Sequence, residues 1–292
     1  MHGTISAMFV FYFYSKTAAA MVIEMAMKYL LLAISMIIAM NNCTSSALHG
    51  GDTLLVGDCL SANQTIMSKN GSFELGFFSP RGKNNWYVGI WYAPIVQKVV
   101  VWVANRDNPV KGMPGTLNFS TDGNLRLFDR EGRLVWSPDI ALKGSRAMIT
   151  DSGNFIMLGD GQNKSETVWE SFAHPGDTWL PGMKMSKGIT LTSWKSSVDP
   201  ASGLFSYGMD MSSRKTGMVM TYNKSVPYWS SGEWTGSYFA NSPEGSNNKI
   251  VETFVVKVSP STVNFYFRVN PRQHILTGRI LINENGELKV YL

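Results

Sequence analysis

The sequence has few cysteines, few charged side chains and no cluster of charge of one sign. Only two of its 292 residues are cysteine, which excludes a disulfide-rich scaffold and a cysteine metal cluster. Charged residues make up 16%, and the 26 basic and 21 acidic residues are interspersed along the chain. A net charge of +5 without a Lys/Arg-rich run does not make an electrostatic nucleic-acid site. We therefore expect no nucleic-acid partner, no metal site and no cofactor.

Catalytic motifs are also missing. The sequence has no Gly-x-Ser-x-Gly nucleophile elbow, no Gly-rich phosphate loop followed by Val-Ala-x-Lys, no His-Arg-Asp loop and no Asp-Phe-Gly. A triad could in principle pair His174 with Ser171 and Asp177, but the elbow that would present the serine is absent. We expect no catalytic residues and no enzyme.

An apolar run near the N-terminus indicates a targeting segment. Lys28 precedes twelve largely apolar residues, 29–40, and small residues follow as far as Ala47. Because a membrane-spanning helix needs about 20 apolar residues, the run fits a secretory signal better. We predict a signal peptide with a signal helix over residues 1–47, with Met27 as an alternative true start. An uncleaved anchor is the other alternative.

Cleavage of that segment would change the cysteine count. Cys43 would leave with the signal and Cys59 would stay. An intrachain disulfide would then exist only in an unprocessed chain. We expect Cys59 to be a small buried residue, with intermolecular pairing as the alternative.

Six Asn-x-Ser/Thr sequons support export of the chain. Asn42 would be lost on cleavage, whereas the other five lie downstream in polar, turn-like contexts that can carry a glycan. We predict N-glycosylation at Asn63, Asn70, Asn118, Asn163 and Asn223.

Short strand-like runs separated by turn residues predict an all-β chain. An internal repeat is the strongest pattern: residues 117–128 and 147–158 each contain a strand, a turn with glycine, an asparagine and a second strand. Each copy then reaches an apolar-Trp pair, at Trp136 and Trp169, and a weaker third copy ends near Trp102. Three such four-stranded units, each with a tryptophan at a shared axis, predict a pseudo-threefold β-prism.

Similar strand runs continue after residue 190 and predict a second β region. They are separated by turn sequences rich in Ser, Asn and Pro, and Asn285-Gly286 is a hairpin signal. The preceding segment, residues 173–190, is rich in Pro and Gly, and we interpret it as a junction.

Several long motifs carry a family resemblance. They are GSFELGFF (71–78), WYVGIWY (86–92), VWVANRDNPV (101–110), VWESFAHPGDTWLPGMK (168–184), LTSWKSSVDPASGLFSYGMD (191–210) and YWSSGEWTG (228–236). In this order they resemble the ectodomain of plant S-domain (G-type, bulb-type lectin) receptor-like kinases and of S-locus glycoproteins, over about residues 52–292.

The resemblance implies a bulb-type lectin β-prism over residues 48–172, a junction over 173–190 and an S-locus glycoprotein domain over 191–292. Receptor kinases of this family continue into an EGF-like or PAN module, a membrane span and a kinase, so we expect this chain to be truncated before those segments. Within the first domain, Asn105-Arg106-Asp107 predicts a buried ion-pair turn or an exposed recognition loop. The Arg106 fork suits Asp107 or a backbone carbonyl.

Mannose-binding bulb lectins are similar to one another in the pattern Gln-x-Asp-x-Asn-x-Val-x-Tyr, whose polar side chains bind sugar hydroxyls. The best copy in this chain keeps the Asp and Asn but substitutes the other three, with Ser120, Asp122, Asn124, Arg126 and Phe128 at the five positions. The second copy (150–158) keeps only Asn154, and the third (68–76) keeps none.

Each missing partner costs about 1–3 kcal/mol, while a millimolar sugar site has only about 4 kcal/mol of binding free energy. We therefore predict that Asp122, Asn124 and Asn154 form a degenerate carbohydrate site. Alternatively, Asp122 and Asn124 simply make the turn before a strand.

The expected function is non-catalytic recognition outside the cell. The chain would be secreted, or lie on the outer face of the plasma membrane if it is part of a longer receptor. The resemblance implies a role in cell-surface signalling such as recognition of pollen, with a protein or peptide ligand or another receptor ectodomain as partner. The alternatives are an active mannose-binding lectin, with a glycan as partner, and the N-terminal fragment of a receptor serine/threonine kinase.

Overall fold

The computed structural model describes residues 23–30, 51–80, 84–159, 166–210, 217–242, 251–259, 262–269 and 277–292. The chain divides into two units, residues 1–44 and 45–292. In the first unit, residues 23–30 are helical, and the Lys28 ammonium lies 3.0 Å from the Glu24 carboxylate one turn away. The rest of the predicted signal segment and Asn163 lie outside the described residues.

The second unit consists of short β-strands joined by turns. The strands of its N-terminal part are β1 (Thr53–Leu55), β2 (Cys59–Leu60), β3 (Thr65–Met67), β4 (Phe73–Phe78), β5 (Asn85–Tyr92), β6 (Val100–Val103), β7 (Val110–Lys111), β8 (Thr116–Phe119), β9 (Leu125–Phe128), β10 (Leu134–Trp136), β11 (Gly144–Ile149), β12 (Phe155–Gly159) and β13 (Thr167–Glu170).

One 3-10 turn and nine further strands follow in the described part of the unit. The turn is Ser171–Ala173, and the strands are β14 (Thr178–Trp179), β15 (Thr190–Ser196), β16 (Asp199–Met209), β17 (Met218–Tyr222), β18 (Val226–Ser230), β19 (Val251–Ser259), β20 (Thr262–Val269), β21 (Arg279–Ile282) and β22 (Leu288–Tyr291).

Three antiparallel sheets build the N-terminal part. The first sheet has the order β3-β4-β5-β6 with β7 beside β5, the second β10-β9-β8-β2, and the third β1-β11-β12-β13. The two earliest strands thus complete sheets formed mainly by later parts of the chain: β1 pairs with β11 and β2 with β8. The predicted prism of three repeated sheets is confirmed.

Glycine makes the repeated turns possible. Gly123 and Gly153 occupy the same place in two copies, with φ of 80° and 81°, a conformation that costs an L side chain energy and glycine nothing. At Gly123 a Cβ would also come within 2.4 Å of the Gly144 carbonyl oxygen. The asparagine after each glycine therefore enters its strand at the same point of both sheets.

The three sheets meet around a group of tryptophans. Trp102 in β6, Trp136 in β10 and Trp169 in β13 pack edge to face, with ring centroids 6.2, 5.9 and 6.0 Å apart. Edge-to-face contact sets the positive edge of one ring on the negative face of the next. The prediction of one tryptophan per repeat at a shared axis is confirmed, and these rings extend a core that includes Leu60, Leu117 and Phe155.

The C-terminal part forms a second set of sheets around its own core. The sheet orders are β15-β16-β17-β18, β14-β21-β22 and β19-β20. Their core contains Trp179, Met218, Phe265 and Phe267. The predicted hairpin at Asn285-Gly286 joins β21 to β22, so the second β region is confirmed.

The segment predicted as a junction is part of the packed fold. It supplies β14, which pairs with β21. Its Leu180 is buried in the core of the prism, whereas Trp179, Met183 and Met185 are buried in the second core. Residues 173–190 therefore link the two cores through packed side chains as well as through the covalent backbone. The exact domain boundaries stay a prediction.

The outer face of the first sheet contacts the C-terminal part directly. Phe78, Tyr87, Trp91 and Val103 form a small buried cluster on this face, and Trp194 of β15 packs against it. The first sheet therefore uses its outer face for packing against the C-terminal part. On the other two sheets the outer face carries polar groups.

Cys59 lies in β2 and is buried, as expected of a small apolar side chain. It is disulfide-bonded, a state that the sequence predicts either as an intrachain bond in a chain that retains its N-terminal segment or as intermolecular pairing. Cys43, the other cysteine of the sequence, lies outside the described residues.

Candidate carbohydrate-binding site

Asp122 and Asn124 lie in and just after the turn between β8 and β9. The Asp122 carboxylate accepts the backbone N–H of Asn124 at 3.2 Å, and the Ser137 hydroxyl donates to the Asn124 side-chain oxygen at 3.3 Å. Asn124 is buried. Both side chains thus stabilise the turn and its attachment to the segment after β10, as the alternative interpretation predicts.

The Arg126 guanidinium binds the Asp122 carboxylate, which a sugar would need as a hydrogen-bond acceptor. Its two terminal nitrogens donate to the two Asp122 oxygens at 2.9 and 2.5 Å. These hydrogen bonds hold the pKa of Asp122 below its ordinary value. A valine at this position would leave the carboxylate free for hydroxyl groups, whereas the guanidinium fork satisfies both of its oxygens.

Asn154 is committed to the fold in the same way. Its amide nitrogen donates to Glu170 at 2.7 Å, and its oxygen accepts the Ser171 hydroxyl at 3.1 Å and the Phe172 N–H at 3.2 Å. The side chain lines a cleft of about 390 Å³ that Lys184 and other residues of the following segment also border. The asparagine holds β12 against the 3-10 turn that follows β13.

The third copy keeps none of the sugar-binding residues and has contacts of another kind. Asn70 stabilises its own turn by accepting the Ser72 N–H at 3.0 Å. Glu74 accepts the Thr65 hydroxyl and the Trp91 indole N–H, each at 2.8 Å. The Lys98 ammonium lies 3.5 Å from the centroid of the Trp91 ring, and burial lowers the pKa of Lys98 while Glu74 opposes that shift.

The Asn105-Arg106-Asp107 segment joins the prism to the C-terminal part. The Arg106 guanidinium donates to the carbonyl oxygens of Pro200, Thr192 and Ser193 at 2.8, 3.0 and 2.7 Å. Of the predicted alternatives, the structure therefore shows bonding of Arg106 to backbone carbonyls. Its long-range partners lie 86 to 94 positions away, which no local pattern could indicate.

Two carboxylates near Arg106 complete this junction. Asp107 accepts the N–H and the hydroxyl of Ser202 at 2.6 and 2.8 Å. Asp177 is buried and accepts the Thr178 hydroxyl at 2.9 Å. Burial raises the pKa of Asp177 to about 7, against the opposing effects of the Thr178 hydrogen bond, Arg106 and Arg279.

His174 has a packing role. Its ring stacks on Trp169, with centroids 5.6 Å apart and an interplanar angle of 10°, and its carbonyl oxygen accepts the Trp102 indole N–H at 2.8 Å. The Ser171 hydroxyl is bonded to Asn154 and not to the histidine. The three residues that could have made a triad therefore have separate structural partners. Over the described part of the chain, no group of three His, Cys, Asp or Glu residues could hold a metal ion.

Comparisons with known proteins place this arrangement in a family. A family model described as D-mannose binding lectin matches residues 99–196. A G-type lectin S-receptor-like serine/threonine-protein kinase of Arabidopsis thaliana is 35% identical over 261 residues, which is 84% of this chain and 31% of that protein. An S-locus-specific glycoprotein of Brassica oleracea is 39% identical over 196 residues, which is 63% of this chain and 44% of that protein.

The chain belongs to the S-domain family. This S-domain chain spans less than a third of the receptor-kinase relative's length. The match covers the lectin and S-domain region of the relative, so it defines a receptor ectodomain or lectin region and carries no kinase activity over to this chain.

Solved structures with a similar strand arrangement include bulb lectins. The mannose-specific agglutinin of snowdrop (Galanthus nivalis) matches 38% of the S-domain chain and 92% of its own, at 18% identity and a TM-score of 0.29. A two-domain, fetuin-binding lectin of Scilla campanulata matches 82% of the chain and 83% of its own, at 14% identity and a TM-score of 0.28.

The predicted glycosylation sites of the S-domain chain differ in exposure. Asn63, Asn70 and Asn223 are exposed. Asn118 is half-buried in β8, and its side-chain oxygen is buried without a hydrogen-bond partner. Among the helices that the structure describes, none is long and apolar enough to cross a membrane.

Proposed function

We propose that this chain is a non-catalytic extracellular recognition module that binds through its protein surface and has lost the mannose sites of its lectin fold. Its partner would be a protein or peptide ligand, or another receptor ectodomain. The relatives that it matches are receptor-like kinases and an S-locus glycoprotein, which supports a place at the cell surface or in the secreted pool.

The Arg126–Asp122 pair carries this proposal. In the copy that best keeps the sugar-binding pattern, the carboxylate is held by two hydrogen bonds from the chain's own guanidinium. A sugar hydroxyl would have to displace a charged, bidentate partner from the carboxylate and would bring only a neutral donor in its place. The exchange is unfavourable, and the buried polar atoms of Asn154 are already paired as well.

Affinity chromatography on immobilised mannose tests the loss of sugar binding. We expect the secreted chain to pass through the column, with the snowdrop agglutinin as the retained control. Specific retention of this chain, reversed by free mannose, would contradict the proposal and favour the active-lectin alternative.

A restored variant makes the test sharper. Ser120→Gln, Arg126→Val and Phe128→Tyr together return the best copy to the family pattern and free Asp122. We expect this triple variant to gain weak, millimolar retention, about 4 kcal/mol of binding free energy. Arg126→Lys, which keeps the charge but not the fork, serves as the matched control and should not be retained.

The finer role that the family suggests is recognition of pollen or a related signalling event at the cell surface. A pull-down from a membrane extract tests for a receptor partner, with the secreted chain and its Arg126→Ala and Asn63→Gln variants as baits. Recovery of a full-length S-domain receptor would support such a partner. If the reading frame of the full-length transcript continues into membrane and kinase segments, the chain is the outer part of one receptor and not a separate secreted protein.

A further inference from the structure

A groove on the outer side of the first sheet is not used by any of the sugar-binding positions. It has a volume of about 720 Å³, within the range of about 300–1,000 Å³ that small-molecule sites have. The first sheet and the loop between β5 and β6 form one side. The hairpin between β15 and β16, which carries Trp194 and Val198, forms the other.

Two tryptophans line the groove, and two valines are among the exposed residues at its rim. Trp86 and Trp194 line it and are half-buried. Val96 and Val198 stand at its edge, and Val96 is fully exposed. A ligand that covers these two valines would remove their apolar side chains from water.

These walls suit a pyranose ring better than a flat apolar ligand. The C–H groups on one face of a sugar carry a partial positive charge and pack on the negative face of an indole ring. Lys98 and Gln97 also line the groove and offer donors and an acceptor to the hydroxyl groups of the sugar.

Asn63 is itself part of the wall. It is exposed, lines the groove and begins the sequon Asn63-Gln64-Thr65. The turn that carries it is fixed, because Gln64 donates its N–H to the Ser61 carbonyl at 2.9 Å and its side-chain oxygen accepts the Ser61 hydroxyl at 2.7 Å. A sugar attached here would begin at the edge of the groove on a rigid stem.

The folded state also indicates when attachment must occur. The Thr65 hydroxyl donates to Glu74 at 2.8 Å in the folded chain, so the sequon hydroxyl is engaged once the first sheet has formed. The glycan would have to be added before that sheet closes, and the sheet would then fold beneath it.

We propose that an N-linked glycan on Asn63 lies in this groove, with its first two sugar rings packed on Trp86 and Trp194. The glycan covers Val96 and Val198 and contacts the prism and the C-terminal part at the same time. This inference rests on the proposed export of the chain, and its test separates the two.

Protection of the glycan from an endoglycosidase provides the direct test. The chain is secreted from cells whose N-glycans remain high-mannose, and the native protein is digested with endoglycosidase H, which cuts between the first two sugars. Glycopeptide mass spectrometry then follows each sequon with time. Asn223, exposed in the turn between β17 and β18, is the reference site.

We expect the Asn63 glycan to be trimmed about tenfold more slowly than the Asn223 glycan. This factor corresponds to a glycan that leaves the groove, and so becomes accessible to the enzyme, in about a tenth of the molecules. After denaturation the two rates should be equal. Equal rates in the native protein would overturn the inference, as would an unmodified Asn63 in a chain that is glycosylated at Asn223. A secreted chain with no glycan at any sequon, or no secretion, would instead contradict the proposed export.

Removal of the glycan gives a second readout. Asn63→Gln deletes this glycan, and Ser225→Ala deletes the one at Asn223 without changing the left-handed Asn223 backbone. We expect Asn63→Gln to increase binding of an apolar fluorescent dye and to speed amide exchange in residues 93–99, while Ser225→Ala leaves both unchanged. Equal behaviour of the two variants would contradict the proposal.

Discussion

At the shared axis of the prism, each sheet presents one tryptophan, and the three ring centroids lie 5.9 to 6.2 Å apart. On the outer faces the same sheets present different groups. These are the Asp122–Arg126 pair, Asn154 with Glu170, and Glu74 with Trp91 and Lys98.

The difference shows which part of the repeat the fold needs. Rings at the axis pack against one another, so a change in one copy affects all three. The outer-face side chains bond to their own sheet and to the segment beside it rather than to the rings at the axis, so the loss of one leaves the axis packing in place. The sugar pattern can therefore disappear while the prism persists, and one outer face can be reused as a contact for the C-terminal part.

The largest expected effect comes from a change at the axis. Trp169→Ala removes contacts with Trp102, Trp136, Phe155 and His174, and we expect a loss of about 3–5 kcal/mol in the free energy of unfolding. Trp229→Ala, in an exposed position of β18, is the control. Chemical denaturation of both variants measures the comparison, and equal costs would contradict it.

A change at the Arg106 junction between the prism and the C-terminal part should have a smaller but still large effect. Arg106→Ala leaves three carbonyl oxygens without their donor and removes one of the two arginines that act on the buried Asp177, and we expect a cost of about 2–4 kcal/mol. Amide exchange should speed up in residues 192–202 more than in the prism. Arg146→Ala, in an exposed position of β11, should change neither quantity.

Asp177 should give this junction a pH dependence. Because its pKa is about 7 in the folded chain and about 4 when unfolded, the folded state binds more protons between these values. Its contribution to stability is therefore full below about pH 4 and is lost as pH rises to about 7, by on the order of 1–4 kcal/mol.

The matching variant is Asp177→Asn, which cannot titrate. We expect the difference in unfolding free energy between this variant and the unmodified chain to change across pH 4–7 and to level off above it. Denaturant titrations at several pH values measure this difference. A constant difference from pH 4 to pH 8 would refute the assignment.

The smallest effect belongs to the outer face of the second sheet. Arg126→Ala breaks an ion pair whose side chains are 30% and 55% exposed, and such pairs contribute about 0–1 kcal/mol. The cost should fall further as salt is added. A loss comparable to that of Trp169→Ala, measured by thermal unfolding, would mean that the outer face is as constrained as the axis.

Local sequence patterns predicted the turns, the strands and the repeated tryptophans, because these features depend on residues that are close together in the chain. The turns at Gly123 and Gly153 were visible because a polar residue and glycine stand between two apolar runs. The tryptophans at the axis were visible because they recur at one place in each copy. The departure from the sugar-binding pattern was visible too, since Arg126 stands where the pattern has an apolar residue, two positions after Asn124.

Contacts between distant segments of the chain have no comparable pattern in the sequence. Two or three residues, as in β1 and β2, are too few to show an alternating pattern, so their pairing with β11 and β8 was not predicted. The sequence left Asp107 and a backbone carbonyl open as partners of Arg106, and it could not point to Pro200, Thr192 and Ser193, which lie on another strand pair. The Pro- and Gly-rich segment after residue 172 resembled a linker because its buried Trp179 and Met185 are separated by turn residues.

The pairing of the early strand β1 with the much later β11 has a consequence for the synthesis of the chain. Thr53 pairs with Met148, about 95 positions later in the chain. At about 5–20 residues per second, β1 leaves the ribosome on the order of 5–20 s before its partner exists. During that interval the first strand is an open edge that any other chain could pair with. The third sheet of the prism can therefore close only after β11 has been synthesised, and keeping residues 53–55 away from other chains during those seconds favours correct folding.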